Sequence, residues 1–205
     1  MSAIVLDIDE TLLHSFEDED DVKELYILKT SNDPYLLSQR NRLYFINRED
    51  VYGNQFSISG ILRPGYEEFL DYCNKTFDKV IIWSAGQRRY VNSMVDIMFA
   101  NIDKPYAIWT FNDIEKHKKG YYYKPLKKME DKLALDLSRT LVVDNQSETF
   151  SANIENAIHI PHYEPKANLK GLKMKDDALF KLMKWIEANK DNKDFTKLDK
   201  RRIFK

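Results

Sequence analysis

The stretch that most constrains this chain is Ala3-Ile4-Val5-Leu6-Asp7-Ile8-Asp9-Glu10-Thr11. Ala3 to Leu6 is apolar and partly β-branched, long enough for a strand covered on both faces and too short for a helix. Side chains alternate along a strand, so Asp7 and Asp9 share one direction while Ile8 turns into the packing. Two carboxylates held side by side repel one another unless a cation or a proton lies between them. Open parallel sheets bind ligands at the carboxyl ends of their strands, which is where these acids fall. The plainer alternative is that they cap a turn, with Asp9-Glu10-Thr11 opening a helix.

Lys79 to Trp83, Thr140 to Val143 and Ala157 to Ile160 read as further buried strands. Between them, helical spacing marks Tyr66, Phe69, Leu70 and Cys73 in a helix opened by Pro64, then Val91, Met94, Val95 and Met98. Leu126, Met129 and Leu133 form a third stripe, and Leu179, Leu182, Met183 and Ile186 a fourth. This alternation predicts an α/β fold, a doubly wound parallel sheet covered on both faces. Segments 24–30, 42–47 and 55–62 read as irregular antiparallel strands, and Glu17 to Asp21 as a solvated acidic turn. One domain is expected over residues 1–190, starting directly at the first strand, with a mobile basic tail over 191–205.

Apolar residues make up 43% of the 205, enough for a real core. Lys plus Arg number 32 and Asp plus Glu 33, so no overall field selects nucleic acid or a membrane. Cys73 stands alone and cannot close an internal disulfide, which suits a reducing compartment. Neither a signal peptide nor an apolar run of spanning length is present. These features imply a soluble protein of the cytoplasm or nucleus, with no membrane or nucleic-acid partner.

Three strands end in polar groups: Asp7 and Asp9, Ser84, and Asp144 with Asn145. Together they suit phosphoryl transfer through a covalent aspartyl-phosphate. Asp7 would attack phosphorus, and Asp9 would protonate the leaving oxygen and later deprotonate water. Ser84 would hydrogen-bond a transferring oxygen, a lysine would offset developing charge, and Asp144 would complete a Mg²⁺ site. Asn145 would orient a water or ligand.

Asp7-Ile8-Asp9-Glu10-Thr11-Leu12-Leu13-His14-Ser15, Arg63-Pro64-Gly65, Trp83-Ser84-Ala85-Gly86, Tyr123-Lys124-Pro125-Leu126 and Val143-Asp144-Asn145 follow one another in order. Their order and spacing resemble the haloacid-dehalogenase (HAD) superfamily, specifically the FCP/SCP-like, or NLI-interacting-factor-like, phosphatases of the RNA polymerase II C-terminal domain. The resemblance implies a HAD-like, Rossmann-like sheet with small β inserts and no large cap. It implies Asp7 as nucleophile and Asp9 as acid/base. Asp7, the Asp9 carbonyl and Asp144 would hold Mg²⁺, Ser84, Ala85 and Lys124 would hold phosphate, and Thr11 and Asn145 would support them. The implied substrate is a phosphoprotein bearing phosphoserine or phosphothreonine. The residues equally admit a small metabolite, a nucleic-acid phosphate end, or a catalytically silent binding module. Tyr106, Trp109, Phe111 and Tyr121 to Tyr123 either pack an insert or line a peptide groove. His14 reads as a structural hydrogen-bonder, while Arg88 and Arg89 read as either phosphate contacts or an exposed helix face.

Overall fold

The computed structural model describes residues 1–49 and 55–205. The chain begins with β1 (Ala3–Leu6), β2 (Leu13–Phe16), α1 (Glu19–Thr30), α2 (Pro34–Gln39), β3 (Leu43–Glu49) and β4 (Gln55–Leu62). It continues through α3 (Tyr66–Thr76), β5 (Lys79–Trp83), α4 (Arg88–Met98), β6 (Ala107–Trp109), β7 (Glu115–Lys116) and β8 (Tyr122–Tyr123). Then come α5 (Leu126–Leu133), β9 (Thr140–Asp144), β10 (Ala157–His159), α6 (Leu169–Leu172) and α7 (Ala178–Asn189).

Five strands form a parallel sheet in the order β10-β9-β1-β5-β6. β1 lies in the middle, with Ile4 level with Val80 on one side and Leu141 on the other. The chain builds β5 and β6 on one flank, then returns to place β9 and β10 on the other. The crevice created by that reversal opens over the carboxyl end of β1. Alternation divides the strand residues between two cores. Ile4, Leu6, Ile82 and Val143 pack with α3, α4 and α7, whereas Val5, Ile81, Trp83 and Val142 pack with Trp109 and the α5 residues Leu126 and Met129. Leu6, Ile82 and Val143 have no exposed surface, each burial stabilising by about 1.5–3 kcal/mol.

A second sheet, β2-β4-β3, is antiparallel and joins the loop after Asp9 through a bridge between Asp9 and Leu13. Arg63 anchors it. Its fully buried guanidinium pairs with Asp176 at 2.8 Å and donates to the carbonyls of Thr11 and Pro161 at 3.0 and 2.8 Å. A short β7-β8 ribbon precedes α5. These are small β inserts on a five-stranded parallel α/β sheet, and among the described residues no large cap domain is present.

Four expectations need correction. Residues 24–30 are not a strand but belong to α1, whose Leu25 and Leu28 join Phe16, Leu36 and Ile61 in a third core. Glu17 to Asp21 is no isolated turn, because Asp18 caps α1 by accepting from the backbone N–H groups of Asp20 and Asp21. The helix after Pro64 begins at Tyr66, where Gly65 adopts a φ of 77° against the ring of Phe180. Residues 191–205 pack onto the body, with Phe195 and Ile203 in the same core as Ile4 and Leu6. The strands expected at 42–47 and 55–62 are β3 and β4, with residues 50–54 between them outside the described set.

Candidate active site

β1 delivers Asp7, whose backbone N–H donates to Val143 at 3.0 Å. Ile8 is fully buried and Asp9 follows on the open side. Glu10 then turns the chain sharply, at a φ of 54°. Asp7 and Asp9 line a pocket of about 280 Å³ with Ala85, Gly86, Lys124, Asp144, Gln146 and Thr149. Of the five strand-end residues singled out from the sequence, Asp7, Asp9 and Asp144 line this pocket, Ser84 is hydrogen-bonded to Asp9, and Asn145 directly follows Asp144.

Lys124 is the hinge of the geometry. Its ammonium is 2.6 Å from Asp7 Oδ1 and 2.7 Å from Asp144 Oδ2, so carboxylates from adjacent strands close on one cation. Its backbone is clamped: the N–H donates to Thr149 at 2.6 Å, and Asn153 Nδ2 donates to its carbonyl at 2.6 Å. Lys127 and Lys128 turn elsewhere, to Glu130 and to the Asp113 carbonyl. Asp144 Oδ1 accepts the Gln146 N–H at 2.9 Å.

Asp9 faces the other way. Tyr90, in the first turn of α4, donates to its Oδ1, and Ser84 Oγ donates to its Oδ2 at 3.3 Å. Ser84 Oγ in turn accepts from the Gly86 N–H at 3.0 Å. Thr11 Oγ1 donates to Asn145 Oδ1 at 3.3 Å, and Asn145 Nδ2 donates to His162 Nδ1 at 2.7 Å. His159 Nε2 donates to the Asn145 carbonyl at 2.8 Å. Thr11 and Asn145 thus tie the loop after β1 to the end of β9 and to His162.

Burial pushes the Asp7 carboxyl up to about 8, and the charges of Asp144 and Asp9 push with it against the pull of Lys124. Asp9 is also raised, mainly by burial, with Tyr90 and Ser84 restraining the shift. Burial lowers Lys124, but Asp7 and Asp144 outweigh it and hold the ammonium protonated. Tyr90 is driven far above the ordinary phenol range by burial and by Asp9, so it keeps its proton and donates. The site holds more buried negative charge than its lysine neutralises. A hard oxygen-binding cation fits that surplus, with Asp7, Asp144 and a backbone carbonyl as donors. No cluster of three or more His, Cys, Asp or Glu side chains suited to a metal occurs among the described residues. Mg²⁺ needs no such cluster, because it takes one or two carboxylates and keeps several waters.

This geometry coincides with a family-level match over residues 2–196 to the NLI interacting factor-like phosphatases. The chain belongs to that family. "CTD small phosphatase-like protein 2" of Dictyostelium discoideum is 26% identical over 186 residues, 91% of this chain and 27% of that protein. "Phosphatase PSR1" of Saccharomyces cerevisiae is 27% identical over 157 residues, 77% of this chain and 30% of that protein. The mitochondrial import inner membrane translocase subunit TIM50 of Kluyveromyces lactis is 27% identical over 128 residues, 61% of this chain and 23% of that protein. The chain therefore spans about a quarter to a third of these relatives. Fcp1, described as an essential RNA polymerase II CTD phosphatase, shares the fold at a TM-score of 0.61 and 15% identity, over 96% of this chain and 52% of that one.

Within this NLI interacting factor-like domain, Arg89 lines a wider cleft of about 670 Å³ that shares Asp9 and Gly86 with the carboxylate pocket. Arg88 lies exposed beside it. His14 bonds to Glu10 at 3.2 Å, in line with a structural role. Of the aromatic stretch, Trp109 is buried edge-on to Trp83 in β6, while Tyr106, Phe111 and Tyr122 stay exposed. The sequence reading missed Tyr90, Gln146, Thr149 and the histidines behind Asn145. His159 lies level with Asp144 in the ladder, a register that becomes visible only once β10 is paired. Tyr90 sits six residues after a strand-end serine, at the start of a helix.

Proposed function

We propose that this domain is a Mg²⁺-dependent phosphatase acting on phosphoserine or phosphothreonine of a protein through an aspartyl-phosphate. The observation that carries the reading is the closure of Asp7 and Asp144 on Lys124, with Asp9 held separately beside them. Asp7 attacks phosphorus, and the departing alkoxide takes its proton from Asp9. Asp9 then removes a proton from the water that attacks phosphorus, which breaks the bond to Asp7 and frees phosphate. Ser84 donates to a phosphoryl oxygen, and Lys124 offsets charge that develops there. Mg²⁺, held by Asp7, Asp144 and the Asp9 carbonyl, would supply the remaining positive charge. Ala85 shapes the phosphate pocket, and Thr11 and Asn145 keep the metal-side residues in place.

A small pocket opening into a broader cleft suits a phosphoryl group carried on a protein side chain, and relatives named as CTD phosphatases support C-terminal-domain-like peptides. No described helix is long and apolar enough to cross a membrane. A free thiol buried on α3 accords with residence in the cytoplasm or nucleus. The translocase-subunit relatives make a silent binding module the competing reading.

Phosphate release from p-nitrophenyl phosphate, with Mg²⁺ or with chelator, tests the chemistry. Asp7→Asn is expected to lower turnover by at least about 10³-fold, since the nucleophile itself is removed. Unchanged turnover in that variant would remove the mechanism, and no release from the wild type would favour the silent module. Phosphopeptides compared with nucleotides, sugar phosphates and phosphorylated oligonucleotides test the substrate class, the peptides being turned over best.

A further inference from the structure

Two hydroxyls of the small antiparallel sheet and one of α4 form a row that ends at Asp9. Tyr44 Oη on β3 lies 2.7 Å from Ser15 Oγ on β2, with the His14 carbonyl oxygen 3.2 Å away. Ser15 Oγ lies 3.0 Å from Tyr90 Oη, and Tyr90 donates to Asp9 Oδ1. Gly60 on β4 stands opposite both Ser15 and Tyr44 in the ladders. A Cβ at Gly60 would overlap the Tyr44 hydroxyl and the His14 carbonyl oxygen, so the glycine leaves the space this row occupies.

The two hydrogen bonds on Asp9 differ in permanence. Ser84 has a second task in the proposed chemistry, donation to a phosphoryl oxygen, and its bond to Asp9 is long at 3.3 Å. Once Ser84 turns to the substrate, Tyr90 is the donor left holding the carboxyl. The terminal torsion of an aspartate is broad, so a single fixed donor decides where its oxygens point. A general acid works only within hydrogen-bond reach of the oxygen it protonates.

We propose that Tyr90, braced by Ser15 and Tyr44, is a positioning residue that aims the Asp9 carboxyl at the leaving oxygen of the phosphate ester. The inference rests on the acid/base role given to Asp9 above. It ties the second sheet to substrate choice. A serine or threonine ester leaves as a basic alkoxide and needs the aimed proton, whereas an activated aryl ester departs as a stable anion without one.

The test compares kcat/KM for phenyl phosphate and for dinitrophenyl phosphate with Mg²⁺ present, in wild type, Tyr90→Phe, Ser15→Ala and Asp9→Asn. Tyr90→Phe is expected to lose about 10–100-fold on the phenyl ester and less than about threefold on the activated one, a share of the about 10²–10⁴-fold worth of general acid catalysis. Ser15→Ala shows the same split on a smaller scale, and Asp9→Asn the widest. An equal loss on both esters, or no loss, in Tyr90→Phe overturns the positioning role while the Asp9→Asn split preserves the function. A flat response of Asp9→Asn, or an inactive wild type, overturns both together. Should Tyr90→Phe fail to fold, Ser15→Ala and Tyr44→Phe decide by the same split.

Discussion

A single ammonium pairs with two buried carboxylates, Asp7 and Asp144, while a third, Asp9, lies beside them. The Asp7 carboxyl is raised in the folded chain to about 8 from 3.8, so folding favours its protonated form. Its contribution to stability is complete below the unfolded value and is lost as pH rises through about 8. Chelator-treated protein is therefore expected to melt at progressively lower temperature between pH 6 and pH 9, and calorimetry at fixed ionic strength checks this. Mg²⁺ should reverse the loss. A cation at 100 times its dissociation constant stabilises by about 2.7 kcal/mol, or on the order of 5–10 °C for a chain of this size. The gain should shrink toward pH 6, where protons compete for the same oxygens. At this scale the sequence was legible wherever a residue's position on a strand end announced it. Asp7, Asp9, Ser84 and Asp144 all sat there, and Lys124 came with a motif. Tyr90 and His162 carry no such mark, because they act through hydrogen bonds to groups distant in the chain.

Elements were legible where periodicity was strong. α3 and α4 bury stripes spaced as a helix requires, and both were visible as such. α1 was not. Only Leu25 and Leu28 of its 12 residues are buried, while the intervening Tyr26 and Ile27 are exposed, so Leu25 to Leu28 reads like a short apolar strand. The stronger signal lay at its start, where Asp18 precedes three acids in the first turn and both the cap and the helix dipole favour a helix. Replacing that cap by Asp18→Ala should cost about 1 kcal/mol in urea unfolding. Leu25→Ala should cost about 2–5 kcal/mol, because the side chain is wholly enclosed in the third core. A larger loss from the cap than from Leu25 would contradict this account of what holds α1.

At the scale of the molecule, the parallel sheet and its two-faced core followed from the rhythm of apolar runs, whereas the packing of residues 191–205 did not. Polar composition suggested a free tail, yet Phe195 is 1% exposed, with its ring 6.4 Å from that of Phe77 and under the guanidinium of Arg139. Scattered apolar anchors of this kind leave no periodic trace. Phe195→Ala is expected to destabilise by about 3–5 kcal/mol, read by denaturant midpoint, with turnover retained in the fraction that stays folded. The placement of β1 between β5 and β9 has a consequence for the order of events in folding. The strand that leads into Asp7 is synthesised before either flanking strand, and it waits through some 75 residues for the first and some 135 for the second. Contacts so distant close late and slowly. Regain of phosphate release after dilution from denaturant should therefore trail the return of helical signal, and a nascent chain stalled before Thr140 would hold Asp7, Asp9, Ser84 and Lys124 but lack Asp144, the second carboxylate that closes on the lysine.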